Sequence, residues 1–289
     1  MTRTDPAWLD AQYNNRARVA DSLQILDRWA RASALAREKS PVLLDLPYGN
    51  GDKETLDVFP AARTNAPVLV FIHGGYWRAL DKSDASFVAP SFVQAGAMVV
   101  VPNYALCPAV SVEHITLQMV RALAWVYRNA QAHGGDPRHI VVAGHSAGGQ
   151  LAAMMLSCRW RSVGADLPAA LVRGALSISG VFDLEPLRHT PFLKHDLKLT
   201  PASVKRLSPA GFPAPKGSLY ATVGGEESEE FLRQNELIRS AWGARAVPVC
   251  EAIPRTNHMN VLHDLADPQG RLHLLGLQLL GLPSVEANQ

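Results

Sequence analysis

Cysteine is scarce. The 289 residues hold three, Cys107, Cys158 and Cys250, odd in number and far apart. That pattern excludes a disulfide framework or a thiolate metal cluster and marks them as small core hydrophobes. No His-x-x-x-His pair occurs, and His189 and His195 stand six apart in a proline-rich stretch, so no bound metal is expected. No apolar run reaches the roughly 18 residues a membrane-spanning helix needs, and Met1 to Arg18 lacks the apolar centre of a signal peptide. Neither sign of charge dominates: 28 Lys and Arg face 26 Asp and Glu, net +2, with no basic stripe to suit nucleic acid. Repeats and low-complexity tracts are absent too. A protein of the reducing cytoplasm is expected, with neither a membrane nor a nucleic acid as partner.

What is present suits one large core. Hydrophobic residues make up 47% of the chain and charged ones 19%, enough to cover both faces of a sheet in a single domain over 1–289. Residues 6–37 read as helical, with Val19, Leu23, Leu26 and Ala30 on the apolar face. Two short β-rich runs follow, Val42–Leu46 and Thr55–Phe59. Continuous apolar runs then alternate with helical patterns. The runs are Pro67–Ile72, Ala97–Val101, Ile140–Ala143, Ala175–Ile178 and Leu219–Val223, with Ala246–Ala252 as one more strand. Helical stretches are expected at Ser83–Gln94, Val112–Ala130 and Gln150–Ser157, and a closing helix carries Leu272, Leu275, Leu279 and Leu282. This alternation predicts an α/β fold with a mostly parallel sheet and right-handed crossovers. Residues 183–215 break the rhythm with six prolines and read as a lid-like insertion above the sheet, alongside the N-terminal segment 1–37.

The most informative motif is Gly144-His145-Ser146-Ala147-Gly148, entered from an apolar strand and followed by a helical stretch. A serine hydroxyl is a poor nucleophile unless exposed beside a base, and a sharp strand-to-helix turn provides the exposure. Upstream, His73-Gly74-Gly75-Tyr76-Trp77 ends another buried strand. Glycine backbone there can bring N–H donors close to a developing oxyanion, which assigns Gly74, Gly75 and Ala147 to an oxyanion hole. Tyr76, Trp77 and Phe182 form a candidate aromatic wall for substrate, with burial in the core as the competing reading. Of the five histidines after Ser146, His258 lies in a polar loop behind the last strand and is the candidate base; His263 is its rival. The loop after Leu219–Val223 contains no Asp, so the orienting acid is a glutamate. Glu229 and Glu230 read as partners of a helix dipole, which leaves Glu226 and Glu227.

With those residues in place, the chain resembles the arylformamidase (kynurenine formamidase) branch of the α/β-hydrolases and its bacterial esterase relatives. His73–Trp77, the Ser146 elbow, Ser179–Leu187 and Glu227–Phe231 carry the resemblance, which runs from about residue 40 to 265. It implies the α/β-hydrolase fold and selects Glu227 as the acid ahead of His258. It also implies hydrolysis of an aryl formamide or small ester, with no metal or organic cofactor. Eukaryotic formamidases of the family carry aspartate at the acid, and the glutamate here departs from them. A generalist carboxylesterase of the hormone-sensitive-lipase-like type and a non-catalytic ligand-binding homologue are the alternatives. A homodimer through the N-terminal helix or a sheet edge is left open.

Overall fold

The structure, a computed structural model, describes residues 5–283, so the first four residues of the expected N-terminal segment lie outside it. Helices α1 (Pro6–Tyr13), α2 (Asn15–Arg18) and α3 (Ser22–Lys39) come first, then strands β1 (Leu43–Pro47), β2 (Thr55–Phe59) and β3 (Ala66–Ile72). Helix α4 (Ala89–Gln94) leads to β4 (Met98–Pro102), α5 (Val112–Asn129) to β5 (Gly135–His145), and α6 (Ala147–Leu156) with α7 (Trp160–Val163) to β6 (Val172–Ile178). Three short helices follow, α8 (Glu185–His189), α9 (Pro191–Leu197) and α10 (Pro201–Leu207). The chain ends with β7 (Ser218–Gly224), α11 (Glu229–Ala246), β8 (Val249–Ile253), α12 (Val261–Ala266) and α13 (Arg271–Leu280).

The eight strands run in the order β1-β2-β4-β3-β5-β6-β7-β8. β2 is antiparallel to both its neighbours, and every other pairing beyond β4 is parallel. The alternation of side chains along β3 shows why its apolar run is unbroken. Val68, Val70 and Ile72 enter one core with α1, α5, α6 and α11, whereas Leu69 and Phe71 enter the other with α3, α4, α12 and α13.

Several expectations need correction. The N-terminal segment is three helices rather than one, because Asn14 ends α1 and its side chain then caps α2 by accepting from Ala17 N–H. Of the expected apolar face Val19 is buried, but α3 turns Ile25, Trp29, Ser33 and Ala36 inward and leaves Leu23 70% exposed. Ser33 is small enough for close approach, and its hydroxyl accepts the Phe87 N–H at 3.1 Å. The stretch 83–94 becomes an α-helix only from Ala89, since Pro90 lacks an N–H and its ring would meet the carbonyl one turn back. Strand β5 starts at Gly135, ahead of the apolar run, through polar residues that paired too irregularly to carry an apolar signal. Cys107 is buried, but Cys158 and Cys250 are only partly so.

Behind β3 a buried polar network holds the turn that follows it. Lys82 Nζ donates to Asp57 on β2 at 2.6 Å and pairs with Asp45 at 2.9 Å. Burial alone would lower this ammonium, but the two carboxylates hold it above its ordinary range. The Lys82 backbone N–H also donates to Asn103 Oδ1, which lies 3.3 Å from His73 Nε2. We expect Lys82→Met to cost about 3–5 kcal/mol by stranding the buried Asp57 carboxylate. Adding Asp57→Leu should recover most of that loss in urea unfolding, and a single variant as stable as wild type would refute the account.

Candidate active site

The chain reverses from β5 into α6 at Ser146, whose φ is 56° and ψ −116°. A side chain seldom adopts that backbone, at a cost of about 1–3 kcal/mol. Three strands enforce it. The Ser146 N–H donates to Ile178 O of β6 at 2.8 Å. A Cβ at Gly144 would stand 2.1 Å from Gly148 O, and one at Gly148 would stand 2.0 Å from Ile72 O at the end of β3. Only glycine fits at both positions. The Ser146 hydroxyl makes no hydrogen bond among the described residues, and Ser146 lines a cavity of about 470 Å³.

His258 lines the same cavity. It follows β8 in a loop clasped by Asn257, whose Oδ1 accepts the N–H groups of Met259 and Asn260 at 2.9 and 3.0 Å. Its Nδ1 meets Glu227 Oε2 at 2.6 Å, so this nitrogen is the donor and Nε2 carries the free lone pair. The carboxylate is itself held. Glu227 Oε1 accepts the Ser179 hydroxyl at 2.5 Å and the Gly224 N–H at 2.7 Å. Glu226 is exposed, which separates the two glutamates. Glu230 serves the scaffold instead. It accepts the Tyr13 hydroxyl at 2.7 Å and pairs with Arg233, tying α1 to α11. The rival His263 is exposed, and neither it nor His189, His195 or His273 lines the cavity.

The loop after β3 runs beside the Ser146 turn. A Cβ at Gly74 would approach His145 O to 2.8 Å and Ser146 Cβ to 3.2 Å, and Gly75 takes φ 99°. The N–H groups of Gly74, Gly75 and Ala147 have no protein acceptor among the described residues. Tyr76 and Trp77 also have positive φ, 50° and 55°. That twist sends neighbouring rings opposite ways: Tyr76 lines the cavity, and Trp77 packs fully buried in the core. Trp77 is therefore no part of the wall. Phe182 is not either, because Gln234 of α11 accepts its N–H at 2.8 Å and seats the ring in the core. The aromatic wall is Tyr76, Trp29 of α3 and Phe192 of α9, with Tyr76 and Phe192 edge to face at 5.8 Å. Leu26, Leu80 and Met259 add apolar surface; Asn14, Asn15, Arg16 and the ion pair of Arg78 with Asp196 add polar groups. Of the proline-rich insertion, only Phe192 and Asp196 line the cavity. Tyr76 was read from its motif, whereas Trp29 and Phe192 carried no signal that set them apart from the other rings of their segments.

Every group with an assigned chemical role follows the C-terminal end of a parallel strand, the edge where open α/β sheets bind ligands. Residues 69–213 match the family described as alpha/beta hydrolase fold. The chain belongs to the α/β-hydrolase family. The kynurenine formamidase of Danio rerio is 30% identical to this hydrolase over 255 residues, covering 85% of this chain and 84% of its own. Esterase LipQ of Mycobacterium tuberculosis is 30% identical over 240 residues, covering 74% and 56% respectively. A solved structure of a Silicibacter sp. TM1040 protein superposes with TM-score 0.80 at 32% identity, covering 91% of this chain and 97% of that one. The formamidase- and esterase-like resemblance read from the motifs is borne out.

His145 shapes the acid response of this hydrolase. Its Nε2 donates to the His258 carbonyl at 2.8 Å, and its ring lies 4.7 Å from the His258 ring. Burial, with the His258 imidazole as a second cause, holds His145 far below the ordinary imidazole range. Burial lowers His73 as well. An unfolded histidine takes up its proton near pH 6.5, and these folded ones resist it. Their contribution is complete above about pH 6.5 and lost as pH falls below it, by up to about 1.4 kcal/mol per pH unit for each group. Urea midpoints should drop from pH 7.5 to 5.5, and His145→Gln should flatten that slope; an unchanged slope would count against the assignment.

Proposed function

We propose that this protein is a serine hydrolase that cleaves aryl formamides or small carboxylic esters through an acyl-enzyme. Ser146 is the nucleophile, His258 the general base and Glu227 the orienting acid, and the oxyanion rests on the amides of Gly74, Gly75 and Ala147. The reading is carried by the short Glu227–His258 hydrogen bond behind an imidazole that shares its cavity with an unpartnered Ser146 hydroxyl. Ser146 Oγ attacks the carbonyl carbon and His258 Nε2 takes its proton. The tetrahedral oxyanion collapses, the bond to the amine or alkoxide breaks, and His258 returns the proton to that leaving group. Water then attacks the acyl-serine with His258 again as base, which releases formate or another carboxylate and restores the hydroxyl. Glu227 keeps the imidazole in the tautomer that this cycle needs and stabilises its charged form.

A formamide is favoured as substrate by the named function of the Danio rerio relative and by the aromatic wall of Tyr76, Trp29 and Phe192. A short-chain ester is the second reading, favoured by LipQ. Ser146→Ala should abolish turnover with the circular dichroism spectrum unchanged, and Glu227→Gln should lower kcat by about 10⁴-fold. Comparing kcat/KM for N-formylkynurenine, p-nitrophenyl acetate and p-nitrophenyl butyrate separates the two readings. Activity retained by Ser146→Ala would defeat both.

A further inference from the structure

The glycine loop after β3 runs through backbone that side chains rarely adopt. Three consecutive residues, Gly75, Tyr76 and Trp77, have φ of 99°, 50° and 55°. Such a run persists only where neighbouring structure fixes it. The segment that follows β4 does so at both ends. Cys107 N–H donates to Trp77 O at 2.8 Å. At the other end the Tyr104 hydroxyl meets two consecutive carbonyls, His73 O at 2.9 Å and Gly74 O at 3.1 Å, and shares its one proton between them. Its ring stacks on His73, with centroids 4.1 Å apart and planes 9° from parallel.

Those two carbonyls matter because of what lies at the other end of their peptide units. A trans peptide is planar, so its C=O and the following N–H point in opposite directions. The unit carrying His73 O carries Gly74 N–H, and the unit carrying Gly74 O carries Gly75 N–H. Neither N–H has a protein acceptor among the described residues. One hydroxyl that gathers both carbonyls behind the loop therefore turns both N–H groups to its other side, as a donor pair suited to an anion. A hydrogen bond to a carbonyl also polarises its peptide and strengthens the N–H as a donor. Tyr104 is 1% exposed and does not line the Ser146 cavity. Burial pushes its phenol well above the ordinary range, so it remains protonated and a donor.

We propose that Tyr104 is a positioning residue of the oxyanion hole: its hydroxyl orients and polarises the Gly74 and Gly75 peptides from behind, without touching substrate. The inference rests on the serine-hydrolase reading above and deepens it. Gly74 O also accepts from His73 Nδ1 at 2.9 Å, whereas His73 O has no other side-chain donor among the described residues. Of the two amides, Gly74 N–H therefore depends on Tyr104 the more.

Tyr104→Phe removes the hydroxyl and keeps the stacked ring. It is assayed on whichever of p-nitrophenyl acetate and N-formylkynurenine the wild type cleaves faster. An oxyanion hole acts on the transition state more than on bound substrate, so kcat should fall about 10–100-fold while KM moves less than about threefold. Affinity for an aryl trifluoromethyl ketone, whose Ser146 hemiketal carries an oxyanion, should fall in parallel. A residue that only filled the core would lower the melting temperature and leave kcat and this affinity unchanged. Tyr104→3-fluorotyrosine keeps the shape and makes the phenol a stronger donor; its kcat should rise about twofold. With Tyr104→Phe folded, kcat within about twofold of wild type, or a loss confined to KM, would overturn the role. Should that variant fail to fold, the absence of any gain from the fluorinated ring would overturn it instead. A wild type that cleaves neither substrate defeats the hydrolase reading itself, whereas a cleaving wild type with an unaffected variant defeats only the role of Tyr104.

Discussion

A backbone held at φ 56° on a serine is the constraint from which the site is built. Such a conformation persists only where its surroundings leave no alternative. Here the surroundings are the three central strands of the sheet. β6 takes the Ser146 N–H, and the end of β3 comes so near α6 that only glycine fits at 148. The same proximity brings the Gly74 backbone against Ser146 Cβ. The geometry of the Ser146 turn and that of the loop beside it are thus one packing problem, solved by the spacing of β3, β5 and β6. His258 and Glu227 come from the loops after the two strands beyond, where Glu226 N–H donates to Thr256 O at 2.9 Å and joins those loops.

The sheet carries Ser146, His258 and Glu227, but the N-terminal segment completes the cavity. Helix α1 belongs to one helical layer and α3 to the other, so the chain passes between them, with Asn14–Arg16 lining the cavity on the way. Tyr13 anchors the crossing. Its hydroxyl bonds Glu230, its ring packs edge-on to Phe231, and Phe231 in turn lies 4.5 Å from the His258 ring. Tyr76 donates to the Tyr13 carbonyl at 2.7 Å from the opposite side. The segment that closes the cavity is therefore coupled mechanically to both His258 and the glycine loop. Helix α9 closes another side, where Arg78 lies over the Phe192 ring and pairs with Asp196.

Strands were legible where burial on both faces made their residues uniformly apolar, as in β3, β4, β6 and β7. The polar first half of β5 and the breaks after Asn14 and before Ala89 were not, because pairing geometry and a single cap or proline decide them. Ser146, His258 and the two glycines were legible as candidates because each type is dictated by local backbone or by order along the chain, whereas Glu227 was separated from Glu226 only by the family resemblance. Trp77 and Phe182 misled for a common reason. A ring beside a reactive loop serves equally as wall or as core, and only the backbone twist at 76 and 77 and the Gln234 side chain decide between them.

Composition and motif order, which act locally, therefore determined the fold class, the turn at Ser146 and the residue types of the candidate site. The tertiary structure decided which of two adjacent glutamates turns inward, which rings face the cavity and which residues close it. Those choices depend on contacts between segments as remote as Tyr13 and Glu230. Side-chain direction across such distances is set by packing, and no spacing along the chain records it.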